Sequence, residues 1–332
     1  MATSISYLNR RNLLRGLLVR RNGLVIGFGA VFIFLAVVAP GFLSWNNLIS
    51  VLLNEFALAA IVSLGMILVI SAGGIDLSVG SSVDIASLVF ISLITAHQSV
   101  SVAIAGGLAG ALAVGLLNAI LIGGVRISPL LATLGTLFIS TSVQQLTTNG
   151  GQPIYLISGS LPAAFSFLAR GQIGGIPVQL YIVALIAVLL WGLLHFSRLG
   201  RYITAVGAQP GVAWYSGIPV RRVSGLVYLI TSAVCGFAGV LLSATVKAYV
   251  PQSGNAYLLG AIGATFIGAT LHRDGRPSVP GTLVGVLLLS IVRNGLLLVG
   301  WNFYWQQVAT GILIFGVLAF SARGNRSVFE AD

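Results

Sequence analysis

Residues Met66-Ile-Leu-Val-Ile-Ser-Ala-Gly-Gly-Ile-Asp-Leu-Ser-Val-Gly-Ser81 interrupt a long apolar run with two glycines, an aspartate and a serine, and then turn apolar again. This reads as a helix that breaks and restarts. Gly73 and Gly74 release the backbone, Asp76 is placed to cap the next helix, and Ser78 and Gly80 follow as that helix begins. Backbone groups freed by such a break persist in an apolar setting only where protein or a polar cavity satisfies them. Taken alone, the motif is a structural helix junction.

The sequence around the break decides the solvent. Of 332 residues, 57% are hydrophobic and 7% charged, against about 25% charged in soluble domains. A soluble chain of this length could not hide so much apolar surface, whereas lipid solvates it directly. The 42 glycines fit the same class, because small residues let membrane helices approach closely. Net charge is +11, from 17 Lys+Arg against six Asp+Glu. The basic residues sit in short gaps between apolar runs, which marks topogenic charge rather than a nucleic-acid face. Cys235 is the one cysteine and lies in an apolar run, so no intramolecular disulfide or Cys-based zinc site is available. The first apolar run continues through Phe42-Leu43 without a small-x-small cleavage pattern, which predicts an uncleaved first span.

The fold expected is all-α: a polytopic transmembrane helical bundle of about ten spans with both termini cytoplasmic. The spans fall near 22–43, 52–72, 77–96, 101–124, 129–148, 178–196, 223–247, 257–271, 279–299 and 303–321. With a cytoplasmic N-terminus, the inside segments hold Arg10, Arg11, Arg15, Arg20, Arg21, Arg126, Arg198, Arg201, Arg221, Arg222, Arg273, Arg276, Arg323 and Arg326. Arg170 and Lys247 fall outside, and Arg293 falls within a span. That asymmetry supports both the count and the direction. The chain then divides into a cytoplasmic segment 1–21, a transmembrane domain 22–323 and a cytoplasmic tail 324–332. Within the domain lie an external loop 149–177, rich in Gly, Pro and Ser, and a basic cytoplasmic loop 197–222, which is either a docking surface or a solvated connector. Gly260, Ala264 and Gly268, then Gly281 and Gly285, and Gly106 and Gly110, form smooth faces for helix contact.

Catalytic chemistry has little to work with. The one lysine, Lys247, precedes Ala248, so no phosphate-binding Gly-Lys-Ser/Thr loop exists. His97, His195 and His272 belong to no His-Glu-x-x-His run, no Gly-x-Ser-x-Gly occurs, and no catalytic or metal-ligating set is expected. Ionisable residues within spans are costly and are functional candidates by default. They are Glu55, Asp76, Asp84 and Arg293. Arg293 needs a carboxylate that Asp84 or Glu55 could supply, and it either forms an interhelical ion pair or meets a solute.

With these residues set out, Met66–Ser81 resembles the most diagnostic segment of the ribose/galactose/arabinose/xylose-type ABC permeases, commonly M-T-L-V-I-L-S-G-G-I-D-L-S-V-G-S. Asn118, Pro129 and Thr133-Leu134-Gly135 are similar to a second family run, and Thr148-Asn149-Gly150 opens the external loop. Ser197-Arg-Leu-Gly-Arg-Tyr202, Ala205-Val-Gly207 and Ser216-Gly217-Ile218 resemble the run around the cytoplasmic loop. Asn294-Gly295-Leu296 and Trp305-Gln306 match the final spans. The likeness covers residues 24–323.

The resemblance implies a bacterial inner-membrane permease subunit working by alternating access. Its partners would be a second permease subunit, two separate ATP-binding subunits and a periplasmic solute-binding protein that carries most of the selectivity. ATP and Mg would sit on the ATPase subunits, with no cofactor in this chain. The 197–222 loop would couple to the ATPase through Gly207, Gln209, Pro210, Ser216 and Gly217, and the 149–177 loop would face the binding protein. Asn54, Glu55, Asn118, Thr133, Arg293, Asn294 and Gln306 are the candidate pathway-lining residues.

Two departures matter. The family's N-E-A-A reads Gln209-Pro210-Gly211-Val212, and the E-L-D-A-I of span eight reads Tyr257-Leu258-Leu259-Gly260-Ala261-Ile262, so both lose their acids. These losses resemble the second permease of autoinducer-2 importers and imply a heterodimer. Asp84 and Arg293 stand where the family has a small residue and Asn, which suits an ion pair. The rival expectation is an ion-coupled secondary transporter of a small polar solute using Asp84 or Glu55.

Overall fold

The computed structural model describes residues 26–156, 161–272 and 275–329. Arg10 to Arg21, segment 1–21, Arg273 and the last three residues of the tail lie outside them. The helices are α1 (Ile26–Val38), α2 (Trp45–Ser50), α3 (Ala57–Ser71), α4 (Val79–Thr95), α5 (Val100–Ala119), α6 (Pro129–Thr147), α7 (Ala163–Arg170), α8 (Val178–Phe196), α9 (Arg198–Ala208), α10 (Pro210–Tyr215), α11 (Val220–Val246), α12 (Asn255–Leu271), α13 (Val279–Leu298) and α14 (Phe303–Phe329). Single π-helical turns, Val51–Phe56 and Ile120–Gly124, lead into α3 and extend α5.

Each predicted span falls on a helix, and the protein is an all-α membrane protein. The α5 helix with its π turn, α8, α11 and α13 are long and apolar enough to cross a bilayer by themselves. The boundaries differ most at the ends. The first run was expected to continue to 43 but its helix stops at Val38, because Pro40 disfavours helical geometry before it and Gly41 turns the chain at φ +71°. The last helix runs on to Phe329, well past 321.

The chain forms two compact units, residues 56–262 and residues 1–55 with 263–332, the boundary falling within α12. In the first unit α11 is the central helix, packed on α3, α4 and α5. Thr231 Oγ1 on α11 donates to the Gly65 carbonyl at 3.1 Å, and Ser82 Oγ on α4 donates to Ser232 Oγ at 3.1 Å. The α8 helix is peripheral, leaving Leu185, Val188 and Leu189 exposed, the kind of surface that lipid covers.

The 149–177 loop has structure of its own. Strand β1 (Ile154–Tyr155) pairs antiparallel with β4 (Ala248–Tyr249), and β2 (Gln172–Ile173) with β3 (Ile176–Pro177). Gly174 and Gly175 both take positive φ between the second pair, as a two-residue hairpin turn of this hand requires. Phe165 of α7 stacks on Phe90 with ring centres 5.8 Å apart, within a cluster that includes Val100 and Tyr249.

In the second unit Leu35, Ala39 and Phe42 pack with Ile291 and Leu298. The smooth faces expected on α12 and α13 meet here. A Cβ on Gly268 would collide with the Gly281 backbone, and one on Gly285 with the Ala264 carbonyl, so the two helices touch backbone to backbone.

Candidate functional site

The break between α3 and α4 is closed at both ends by hydrogen bonds its own sequence supplies. Gly73 takes φ +80°, its N–H donates to the Ile70 carbonyl, and the Gly74 N–H donates to the Val69 carbonyl, both at 3.0 Å. This pair is the glycine-terminated helix end that satisfies the last free carbonyls. On the other side Asp76 Oδ1 accepts from the Ser78 N–H at 2.7 Å and from Ser78 Oγ at 2.6 Å. Asp76 thus grips the residue that opens α4 rather than an N–H of its first turn, because a side chain so short reaches the amide two residues on.

Three other helices hold the break in place. Asn118 of α5 donates through Nδ2 to Ser78 Oγ at 2.7 Å. Thr133 of α6 accepts from the Leu77 N–H at 3.2 Å while donating to the Pro129 carbonyl. Tyr228 of α11 brings its hydroxyl to 2.6 Å from where a Cβ on Gly74 would lie, so a side chain there would have to displace the phenol. Asp76, Ser78, Asn118 and Thr133 are fully buried. Asn118 and Thr133, expected to line a pathway, here brace the junction. Gly80 packs against Gly254 and Asn255.

The cytoplasmic loop of the sequence reading folds as two helices. Ser197 Oγ caps α9 by accepting from the Gly200 N–H at 3.0 Å, and Pro210 starts α10 directly after Gln209. The α10 helix ends at Ser216-Gly217, with Gly217 at φ +80°. Ala213 is buried, whereas Gln209, Pro210, Val212, Trp214, Ser216 and Gly217 are exposed and Tyr215 is 91% exposed. Gly207 is the residue that ties this loop to the break. A Cβ on Gly207 would collide with the Ser71 carbonyl oxygen, and one on Gly73 would lie 3.3 Å from the Gly207 Cα.

The remaining candidates are distributed. Asp84, two turns along α4 from Asp76, accepts from the Gly254 N–H at 2.7 Å and Ser253 Oγ at 3.2 Å, fixing the turn before α12. Arg293 belongs to the other unit, where its charge acts on Glu55. Asn294 forms a reciprocal amide pair with Asn47, at 2.9 and 3.0 Å. Gln306 donates to the Trp301 carbonyl at 2.8 Å. Asn54 lies in the first π turn, with its side chain outside the described set.

Three residues that sequence reasoning passed over belong to these networks: Asn47, Gln144 and Tyr228. Gln144 Oε1 accepts from Tyr249 Oη at 2.9 Å and from the Gln252 N–H at 3.3 Å, tying α6 to the β4 connection. Burial, and secondarily the Asp84 carboxylate, push the Tyr249 phenol up, so it keeps the proton it donates. A glutamine inside an apolar span was the available signal.

The whole-chain comparisons agree with one another. A family model described as "Branched-chain amino acid transport system / permease component" matches residues 48–318. The ribose import permease protein of Escherichia coli (strain K12) is 30% identical over 315 residues, 94% of this chain and 96% of the relative. The L-arabinose ABC transporter permease protein of Azospirillum brasilense is 32% identical over 310 residues, 93% of this chain and 90% of the relative. The autoinducer 2 import system permease protein of Yersinia pseudotuberculosis serotype O:3 (strain YPIII) is 33% identical over 267 residues, 80% of each chain. No solved structure matches the chain.

Proposed function

Because the chain belongs to the family of transport-system permease components matched over residues 48–318, a multi-pass inner-membrane protein, we propose that it is the permease subunit of a binding-protein-dependent importer for a sugar or sugar-like solute, a class that includes autoinducer 2. It works by alternating access, with ATP and Mg held by separate ATPase subunits. Both termini are cytoplasmic, and the 149–177 loop faces a periplasmic binding protein.

The observation that carries the mechanism is the seat of Gly207 on the Ser71–Gly73 turn. The α10 helix offers exposed Val212, Trp214 and Tyr215 to a partner, and the adjoining α9 rests backbone to backbone on the break. A push on α10 therefore reaches the junction that Asn118, Thr133 and Tyr228 hold. ATP-driven closure of the partner subunits moves α10, and the break transmits that motion to α4, α5, α6 and α11. The docking surface has no acid of its own, which supports a heterodimer in which the second permease keeps the full coupling motif.

Co-purification tests the reading. The tagged chain, expressed with its chromosomal neighbours, is expected to bring down an ATPase subunit and a second, non-identical permease. Recovery of the chain alone, fully folded and stable, would contradict it. Solute-stimulated ATP hydrolysis with this chain as the sole permease would defeat the heterodimer.

A further inference from the structure

The helix break carries a buried charge and three oxygens that the mechanism leaves unused. Asp76 Oδ2, Asn118 Oδ1 and Tyr228 Oη are buried, and none has a hydrogen-bond partner among the described residues. Their parent side chains are 0%, 0% and 2% exposed. They share one locality. Asp76 Oδ1 and Asn118 Nδ2 both engage Ser78 Oγ, at 2.6 and 2.7 Å, so the second oxygen of each group stands one carboxyl or amide width from that contact. Tyr228 Oη abuts Gly74, two residues before Asp76.

Buried polar atoms are almost always paired, and a buried carboxylate without a counter-charge is costlier still. Among the described residues of its own unit, no buried basic side chain answers Asp76. In the unit 56–262 every described basic residue (Arg126, Arg170, Arg198, Arg201, Arg221, Arg222 and Lys247, with His97 and His195) is exposed. A bridging water would satisfy the three oxygens but leave the charge. A proton on Asp76 Oδ2 would cancel the charge and could serve one neighbouring acceptor, but it would leave Tyr228 Oη without a partner. A cation does both. One carboxylate among otherwise neutral ligands matches a single positive charge, and all-oxygen ligands match a hard ion.

We propose that the α3–α4 break binds one small monovalent cation, sodium, between Asp76 Oδ2, Asn118 Oδ1 and Tyr228 Oη. The ion locks the junction against α5 and α11. It is a structural ion of the permease, independent of the energy source for transport.

The test uses the purified chain with its co-purifying subunits, in lipid nanodiscs. Radioactive sodium is titrated, and thermal unfolding is followed in sodium, potassium and choline chloride at constant ionic strength. Saturable sodium binding is expected, with a Tm higher in sodium than in choline. Above the dissociation constant, each tenfold increase in sodium shifts the unfolding equilibrium by about tenfold. Asp76→Asn abolishes both effects. Should that variant fail to fold, Tyr228→Phe, which removes only the hydroxyl, is expected to weaken sodium binding severalfold while leaving the Tm in choline near that of the parent. Equal Tm values in all three salts with no saturable binding would mean a bridging water only, and would overturn the proposal. Undiminished sodium binding by Asp76→Asn would overturn it equally.

Discussion

Replacing Gly207 with alanine puts the coupling route under direct test. The new Cβ would collide with the Ser71 carbonyl oxygen and lie 2.9 Å from the Ser71 carbonyl carbon and 3.1 Å from that of Ala72. All three are backbone atoms of the turn that ends α3, with no rotamer to escape into. Restoring ordinary carbon contacts of about 3.5 Å requires α9 to retreat from the break by something on the order of 1 Å. Overpacking of this kind costs about 1–3 kcal/mol. If that cost falls on only one of the two states of the transport cycle, their ratio changes by roughly 5–150-fold. Proteoliposomes containing the assembled importer would be assayed for solute taken up per ATP hydrolysed. Gly207→Ala is expected to lower that ratio at least fivefold. Gly211→Ala is the control on the same loop, because a Cβ there meets nothing within 4 Å; it should leave the ratio unchanged. Equal coupling ratios and equal Tm for Gly207→Ala and the parent would refute the reasoning.

Three further outcomes follow from the same geometry. Gly73→Ala forces a Cβ residue into φ +80° against Gly207, costing about 1–2 kcal/mol and lowering the Tm in thermal unfolding. Asn47→Ala and Asn294→Ala should each cost about 1–3 kcal/mol by orphaning the other amide. The double variant should cost clearly less than their sum, and strict additivity in a double-mutant cycle would rule out the pair. Trp214→Ser with Tyr215→Ser, at exposed positions of α10, should cut recovery of the ATPase subunit in a pull-down without changing the Tm.

The helical framework was legible because a bilayer imposes long apolar runs, and every predicted span falls on a helix. The break was legible for a different reason: Gly73, Gly74 and Asp76 act on neighbours within a few residues, so their hydrogen bonds are local. Partners distant in sequence were not readable from one chain. Asn47 and Asn294 are 247 positions apart, and nothing in the composition around Tyr228 says that its hydroxyl meets Gly74. Asn118 and Thr133 were picked out as polar residues in apolar spans, a signal that marks a buried polar group without saying whether it faces a pathway or a neighbouring helix. The hairpin at Gly174-Gly175 had its turn signal in the sequence, but two-residue strands carry too little periodicity to announce themselves.

The most direct measurement is uptake by the importer reconstituted with its ATPase and binding protein, with sodium and proton gradients collapsed by ionophores. The account predicts solute accumulation that requires internal ATP, stops with vanadate and ignores the ionophores. Uptake that survives vanadate and vanishes with the ion gradients would contradict it.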